Sequence, residues 1–167
     1  MMNKTIREAV RCFLVKDSKV VVIKYKSGNI KEGYYDIPGG KIEKGETPEE
    51  TAIREMKEEI GLKVKNLKHK GKMIIEYPKK VFSLSIFFGD SCEGELKESD
   101  ENISEWIDIK DLLKKEKRLS NIMILDKDYI RGLIDDRCNF IMNIKVDDNE
   151  DILNIEYTLE EEKENVR

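Results

Sequence analysis

Cysteine is scarce in this 167-residue chain, with Cys12, Cys92 and Cys138 alone. An odd count at such wide spacings gives neither a disulfide framework nor a zinc pattern, and fits three reduced thiols. Long apolar runs are absent. Stretches such as residues 20–23 fall far short of the ~20 residues a membrane-spanning helix needs. Residues 1–9 are polar and have no apolar h-region, so no signal peptide is read there and a cytoplasmic protein is expected. Internal repeats and low-complexity linkers are also missing. Lysine and arginine total 31 against 35 acidic residues, a net charge of −4. That balance excludes bulk nucleic-acid binding through a basic surface. The single histidine, His69, lies among Lys65, Lys68, Lys70 and Lys72 and reads as part of a solvated basic strand. The single tryptophan, Trp106, reads as a core side chain rather than a base-stacking platform. Lysines and Arg118 in residues 114–118 read as an exposed helix end, where cations suit the dipole.

What is present suits one domain with one core: 39% apolar and 40% charged residues. Residues 9–15 and 20–25 are β-branched and apolar, with Asp17-Ser18 between them, and predict a hairpin. A polar loop with two glycines follows over 27–33. Residues 34–37 form a short extended piece, which Pro38 favours by restricting its predecessor. A helix is expected over 47–60, with Thr47 as N-cap, Pro48 at N1, Glu50 completing a capping box and Gly61 just past the end. Strand character then runs over 62–77, 81–90 and 103–109. Short helices are expected over 111–117 and 126–134. A last hairpin covers 140–146 and 152–159, turning at Asp147-Asp148-Asn149-Glu150, and residues 160–167 read as a frayed tail. The domain is therefore placed at 1–159. Strands dominate, giving an α/β (α+β) mixed sheet with helices packed on it rather than a repeating βαβ array.

The helix over 47–60 carries the chemistry. At about 100° per residue, Glu55, Glu58 and Glu59 fall within an arc of roughly 100°, beside an apolar arc of Ala52, Ile53, Met56 and Ile60. Clustered like charges at i,i+3 and i,i+4 cost on the order of 0.2–0.5 kcal/mol each on a helix. A divalent cation removes that cost and takes the oxygens as ligands. Mg²⁺ suits carboxylates, water and substrate phosphates. The competing reading is a solvated face laced by the Glu50, Arg54 and Glu58 ladder, although Glu55 and Glu59 find no such partner within the helix. Gly39-Gly40-Lys41, Gly45 and Glu46 precede the cap. Glycines there allow close backbone approach to a ligand, and a helix N-terminus favours anions.

Gly40, Glu46, Arg54, Glu55, Met56, Glu58, Glu59, Gly61 and Leu62 stand at the spacings of the Nudix box, so the chain resembles the Nudix hydrolases. Nine specified positions agree, seven of them with a single allowed residue. The lead-in Gly33-Tyr34-Tyr35-Asp36-Ile37-Pro38-Gly39-Gly40 is similar to the family's as well. The resemblance implies an α/β/α sandwich around a mixed sheet, with a C-terminal hairpin. It implies hydrolysis of a nucleoside diphosphate linked to a group X, with Mg²⁺, or Mn²⁺ in its place. By resemblance Glu55, Glu58 and Glu59 bind metal with the carbonyl of Gly39, Arg54 orients the carboxylates, and Glu46 braces the loop. Glu101, in the acidic segment Glu98-Ser99-Asp100-Glu101, is nominated as base or extra ligand.

Length, the segment 98–106 and the terminal hairpin resemble the family's oxidised-purine nucleoside triphosphatases (8-oxo-dGTP diphosphatases). Asp36 then occupies a base-contacting position and Asn121 stands in for an acidic pair that the sequence does not show. Lys24 and Lys26 are phosphate-contacting candidates, against the plainer reading of solvent-facing lysines on an edge strand. Pro78, sixteen residues past the box, points instead to an ADP-ribose or nucleotide-sugar pyrophosphatase, though it also suits a strand-end turn. A non-catalytic nucleotide-sensing module is the alternative from another class, and no box carboxylate is missing to favour it. The expected partner is a small nucleotide, with neither nucleic acid nor membrane, in a monomer or homodimer.

Overall fold

The computed structural model describes residues 3–28, 32–114 and 138–161. Asn121, the expected helix over 126–134 and the tail over 162–167 lie outside the described residues. β1 (Thr5–Lys16) and β2 (Lys19–Tyr25) turn at Asp17 and Ser18, with φ of 52° and 63°. Positive φ at both centres is the primed turn whose twist suits a two-residue hairpin loop. Only Val15 and Lys16 of β1 pair with β2. Most of β1 lies parallel to β7 (Lys80–Gly89), from Thr5 opposite Lys80 to Leu14 opposite Gly89.

From β7 the sheet continues through β6 (Lys68–Glu76), β10 (Cys138–Val146) and β11 (Ile152–Glu161). β3 (Tyr35–Asp36) pairs with β2, and β4 (Gly39–Lys41) lies antiparallel to the middle of β1. β9 (Asn102–Asp108) pairs with β2 along its whole length. These nine strands form one mixed sheet among the described residues. A separate pair joins β5 (Lys63–Lys65) to β8 (Ser91–Glu93).

The sheet carries a helix on each face, as side-chain alternation demands. Val10, Cys12, Leu14, Val21 and Ile23 point to one side, where Ala52, Met56 and Ile60 pack on them. Ala9, Phe13, Val20 and Val22 point to the other, with Leu112 of α2 (Ile109–Lys114). The expected sandwich is therefore present, and Trp106 packs partly buried on the first of these cores.

Several expectations change. β2 has strand partners on both sides at Lys24, which therefore does not sit on an edge, and Lys26 lies just past the end of the strand. Lys70 is buried, not solvated, because the β6–β7 register shifts between His69 and Gly71 and turns it inward. His69 stays exposed, its ring edge against Phe87. β11 runs two residues further than expected, since Glu161 still pairs with Cys138. Pro78 lies in the β6–β7 turn, closed by the Tyr77 N–H donating to the Lys80 carbonyl at 2.9 Å.

Candidate active site

α1 (Pro48–Glu55) starts where the sequence places it. The Thr47 hydroxyl accepts the Glu50 N–H at 3.2 Å and donates to the Glu50 carboxylate at 3.0 Å. The helix does not continue regularly to residue 60. Met56–Ile60 forms a π turn, and Gly61 ends it with φ 83°. Such a turn holds one residue more than an α turn. The 100° projection therefore fails across Glu58 and Glu59. Glu58 stays outside, with its side chain 61% exposed, while Glu59 turns in towards the sheet.

Arg54 is the hub. Its Nε donates to Glu46 Oε2 at 2.8 Å and its Nη2 to Glu46 Oε1 at 2.9 Å, a two-pronged pairing. Its Nη1 donates to Glu55 and Glu58, each at 3.0 Å, and its Nη2 to the Lys41 carbonyl at 3.3 Å. Glu55, expected to lack a partner within the helix, thus has one. Glu46 also accepts the Glu43 N–H and the Thr51 hydroxyl, closing the loop onto the helix. The Arg54 pairing is the chief cause that holds the Glu46 carboxyl down at about 2, and Glu46 in turn raises the Arg54 guanidinium. The Arg54–Glu58 rung of the expected ladder forms, while Glu50 turns to Thr47.

Glu59 is held from two sides. Gly39 N–H donates to its Oε2 and the Asn102 amide to its Oε1, both at 3.1 Å. Burial pushes its carboxyl up to about 7, against the Gly39 hydrogen bond and the charge of Arg11, which lower it. Burial also raises Glu55, which Arg54 opposes. Glu55 presses on the loop so closely that a Cβ at Gly40 would stand 2.3 Å from its carboxylate. At Gly39 a Cβ would stand 1.9 Å from the Val10 carbonyl, across the β1–β4 pair.

Among the described residues no three acidic, histidine or cysteine side chains stand in metal-ligating positions as they are. Arg54 takes Glu55 and Glu58, and Gly39 and Asn102 take Glu59. The donor set still fits a hard divalent ion. Two raised carboxyls share a small region, and glycine backbone is bare where Glu55 leans.

The remaining candidates are mixed. Asp36 is 1% exposed, accepts the Tyr25 hydroxyl at 3.0 Å and caps the Ile37 N–H at 2.8 Å. Lys26 is engaged by Glu98 at 2.9 Å and by the Ser99 carbonyl at 2.6 Å, which removes it from the free cations. Lys24 lies over the Tyr35 ring at 5.6 Å, in a groove of about 640 Å³ with Tyr25 and Tyr34. Glu101 is exposed on the segment that delivers Asn102 to Glu59. Sequence reasoning missed Asn102, although it adjoins Glu101. It also missed Arg11, whose signal was a charge inside the apolar stretch 9–15.

The chain is 37% identical over 126 residues to an ADP-ribose pyrophosphatase of Methanocaldococcus jannaschii, covering 74% of this chain and 72% of that protein. It is 37% identical over 91 residues to an oxidized purine nucleoside triphosphate hydrolase of Danio rerio, covering 53% of this chain and 58% of that one. A MutT protein from Bacillus halodurans superposes with a TM-score of 0.73 at 26% identity, over 92% of this chain and 97% of the other. The NUDIX domain model matches residues 5–126, which span β1, the Arg54 hub, Glu59 and its holder Asn102, and the chain belongs to the Nudix family.

Proposed function

We propose that the protein is a Mg²⁺-dependent nucleoside triphosphate pyrophosphohydrolase, with one catalytic domain over residues 1–159. The observation that carries the reading is the hub itself: one guanidinium joins Glu46, Glu55 and Glu58, beside a half-buried Glu59. Glu55, Glu58 and Glu59 would hold the metal, with the Gly39 carbonyl. When bound, the metal supplies Lewis-acid polarisation of a phosphoryl oxygen and a more acidic water. Mn²⁺ has the same hard-oxygen preference.

The chain's own residues do the rest. Glu46 fixes Arg54, and Arg54 fixes the direction of two carboxylates, as outer partners of metal ligands do. Gly39 and Asn102 fix Glu59. Glu58 and Glu101 are exposed enough to take a proton from water. Water adds to a phosphorus, the bridging P–O bond breaks, and a triphosphate leaves as monophosphate plus pyrophosphate. Asp36 acts through Tyr25 at the base side, and Lys24 stands near the phosphates. Asn121 is kept as a base contact.

A preference for oxidised purines rests on the Danio rerio relative. A second reading is hydrolysis of ADP-ribose or a nucleotide sugar; its ADP-ribose form is favoured by the Methanocaldococcus jannaschii relative, which matches over a longer span. Pro78 adds little to it, being a turn residue here. The test is a panel of normal and oxidised triphosphates, ADP-ribose and nucleotide sugars with Mg²⁺, the products identified by mass spectrometry. Monophosphate and pyrophosphate from a triphosphate support the proposal. AMP from ADP-ribose alone replaces it with the second reading. Turnover of any of them excludes a non-catalytic nucleotide sensor.

A further inference from the structure

One charged residue breaks the apolar centre of β1. Arg11 shares the face of Ala9 and Phe13, on the side of the sheet away from α1. Its Nη1 donates to the Val10 carbonyl at 2.8 Å, but its Nε is buried with no hydrogen-bond partner. A buried N–H left unpaired is costly, more so on a charged group, and calls for an explanation. Its place supplies one. Arg11 lies opposite Gly39 across the β1–β4 pair, and its charge acts on Glu55, Glu59 and Tyr25.

Arg11 also opens a groove of about 390 Å³ that begins at Gly40 and runs along β1 and β7. Arg7, Lys41 and Lys80 line it further out, with Glu8 the only carboxylate there among the described residues. Phe82, level with Arg7 across the parallel pair, is part of its wall. Lys80 Nζ lies over the Phe82 and Tyr77 rings, at 5.2 Å and 4.9 Å, so aromatic faces hold that ammonium at the groove. Four cations against one carboxylate stand out in a chain of net charge −4. An uncharged sugar has no use for them, whereas a chain of phosphates does.

We infer that this groove is a subsite for the substrate's phosphate chain: Arg11 grips the phosphate beside the carboxylate cluster from the opposite strand, and Arg7, Lys41 and Lys80 take the phosphates beyond. The inference rests on the proposed phosphoanhydride chemistry and narrows its substrate class. Compounds with three or more phosphates bind better than nucleotides linked to a neutral sugar.

Calorimetry with inorganic tripolyphosphate and with orthophosphate tests this on the full chain in buffer without divalent cations, where the proposed reaction does not turn the tripolyphosphate over. Wild type is expected to bind tripolyphosphate 1:1 and at least tenfold tighter than orthophosphate. Arg11→Gln, and separately the rim double variant Arg7→Gln/Lys80→Gln, are expected to weaken it about tenfold or more, with Arg11→Lys recovering part. The rim variant keeps the test open if Arg11→Gln does not fold. In kinetics, the triphosphate KM should rise at least tenfold more than the ADP-ribose KM in the same variants. Tripolyphosphate bound no tighter than orthophosphate, or bound equally by wild type and both variants, overturns the subsite. If binding behaves as expected but no anhydride is hydrolysed, the functional reading fails instead and the anion site stands.

Discussion

Arg54 makes the most demanding set of contacts in the site, and its planar fork is what allows them. Lysine keeps the charge but cannot span Glu46 and two more carboxylates at once. Arg54→Lys should lower kcat or Mg²⁺ affinity about 10–100-fold, the usual consequence of losing a partner that orients metal ligands. Initial rates across a Mg²⁺ titration measure it, and wild-type parameters in the variant would refute the hub.

Glu59 gives a pH signature at the same scale. In buffer without divalent cations, its folded-state carboxyl is raised to about 7 from 4.5, mainly by burial. Between those values the folded chain holds a proton that the unfolded chain has lost, so stability falls as pH rises. The contribution is complete below about 4.5 and gone above about 7, on the order of 3 kcal/mol in all. Glu46 works the other way and in another window. Its folded value of about 2 adds stability above 4.5 that is lost as pH falls towards 2. Urea unfolding across pH should therefore show a decline from 4.5 to 7 that Glu59→Gln flattens and Glu46→Gln leaves in place. An unchanged decline in Glu59→Gln contradicts the raised carboxyl.

At the scale of elements, two adjacent glycines in β4 do different work. A Cβ at Gly39 meets the Val10 carbonyl, which is backbone and cannot turn aside, so Gly39→Ala should unpair β4 from β1 and lower Tm by several degrees. A Cβ at Gly40 meets the Glu55 side chain, which can turn away. Gly40→Ala should keep Tm within a few degrees of wild type yet weaken Mg²⁺ binding tenfold or more. Melting curves together with Mg²⁺ titrations separate the two, and equal behaviour of both variants would undo the distinction. At the helix start, Thr47→Ala should cost about 1 kcal/mol in urea unfolding through loss of the Glu50 N–H acceptor.

The same elements show what was legible in sequence. The cap at Thr47, the stop at Gly61 and the β1–β2 turn depend on neighbours in the chain, and local chemistry announces them. The π turn does not, because it follows from seating Glu59 between Gly39 and Asn102, contacts 20 and 43 residues away along the chain. The parallel β1–β7 pair and the bulge that buries Lys70 are long-range outcomes too. Arg11 was visible as a charge among apolar residues, but its closeness to the carboxylates depends on β4 crossing β1.

On the scale of the whole molecule, the sheet brings three parts together. α1 and its π turn bring the glutamates, β4 brings the bare glycine backbone, and the start of β9 brings Asn102, with Glu101 just before it. We propose that this assembly hydrolyses phosphoanhydrides with a divalent cation. The most direct measurement incubates wild type and Glu58→Gln with Mg²⁺ and the nucleotide panel, then identifies products by mass spectrometry. Wild type should convert a nucleoside triphosphate to monophosphate and pyrophosphate, EDTA should abolish this, and Glu58→Gln should be at least 100-fold slower. No phosphoanhydride cleaved faster by wild type than by Glu58→Gln would contradict it.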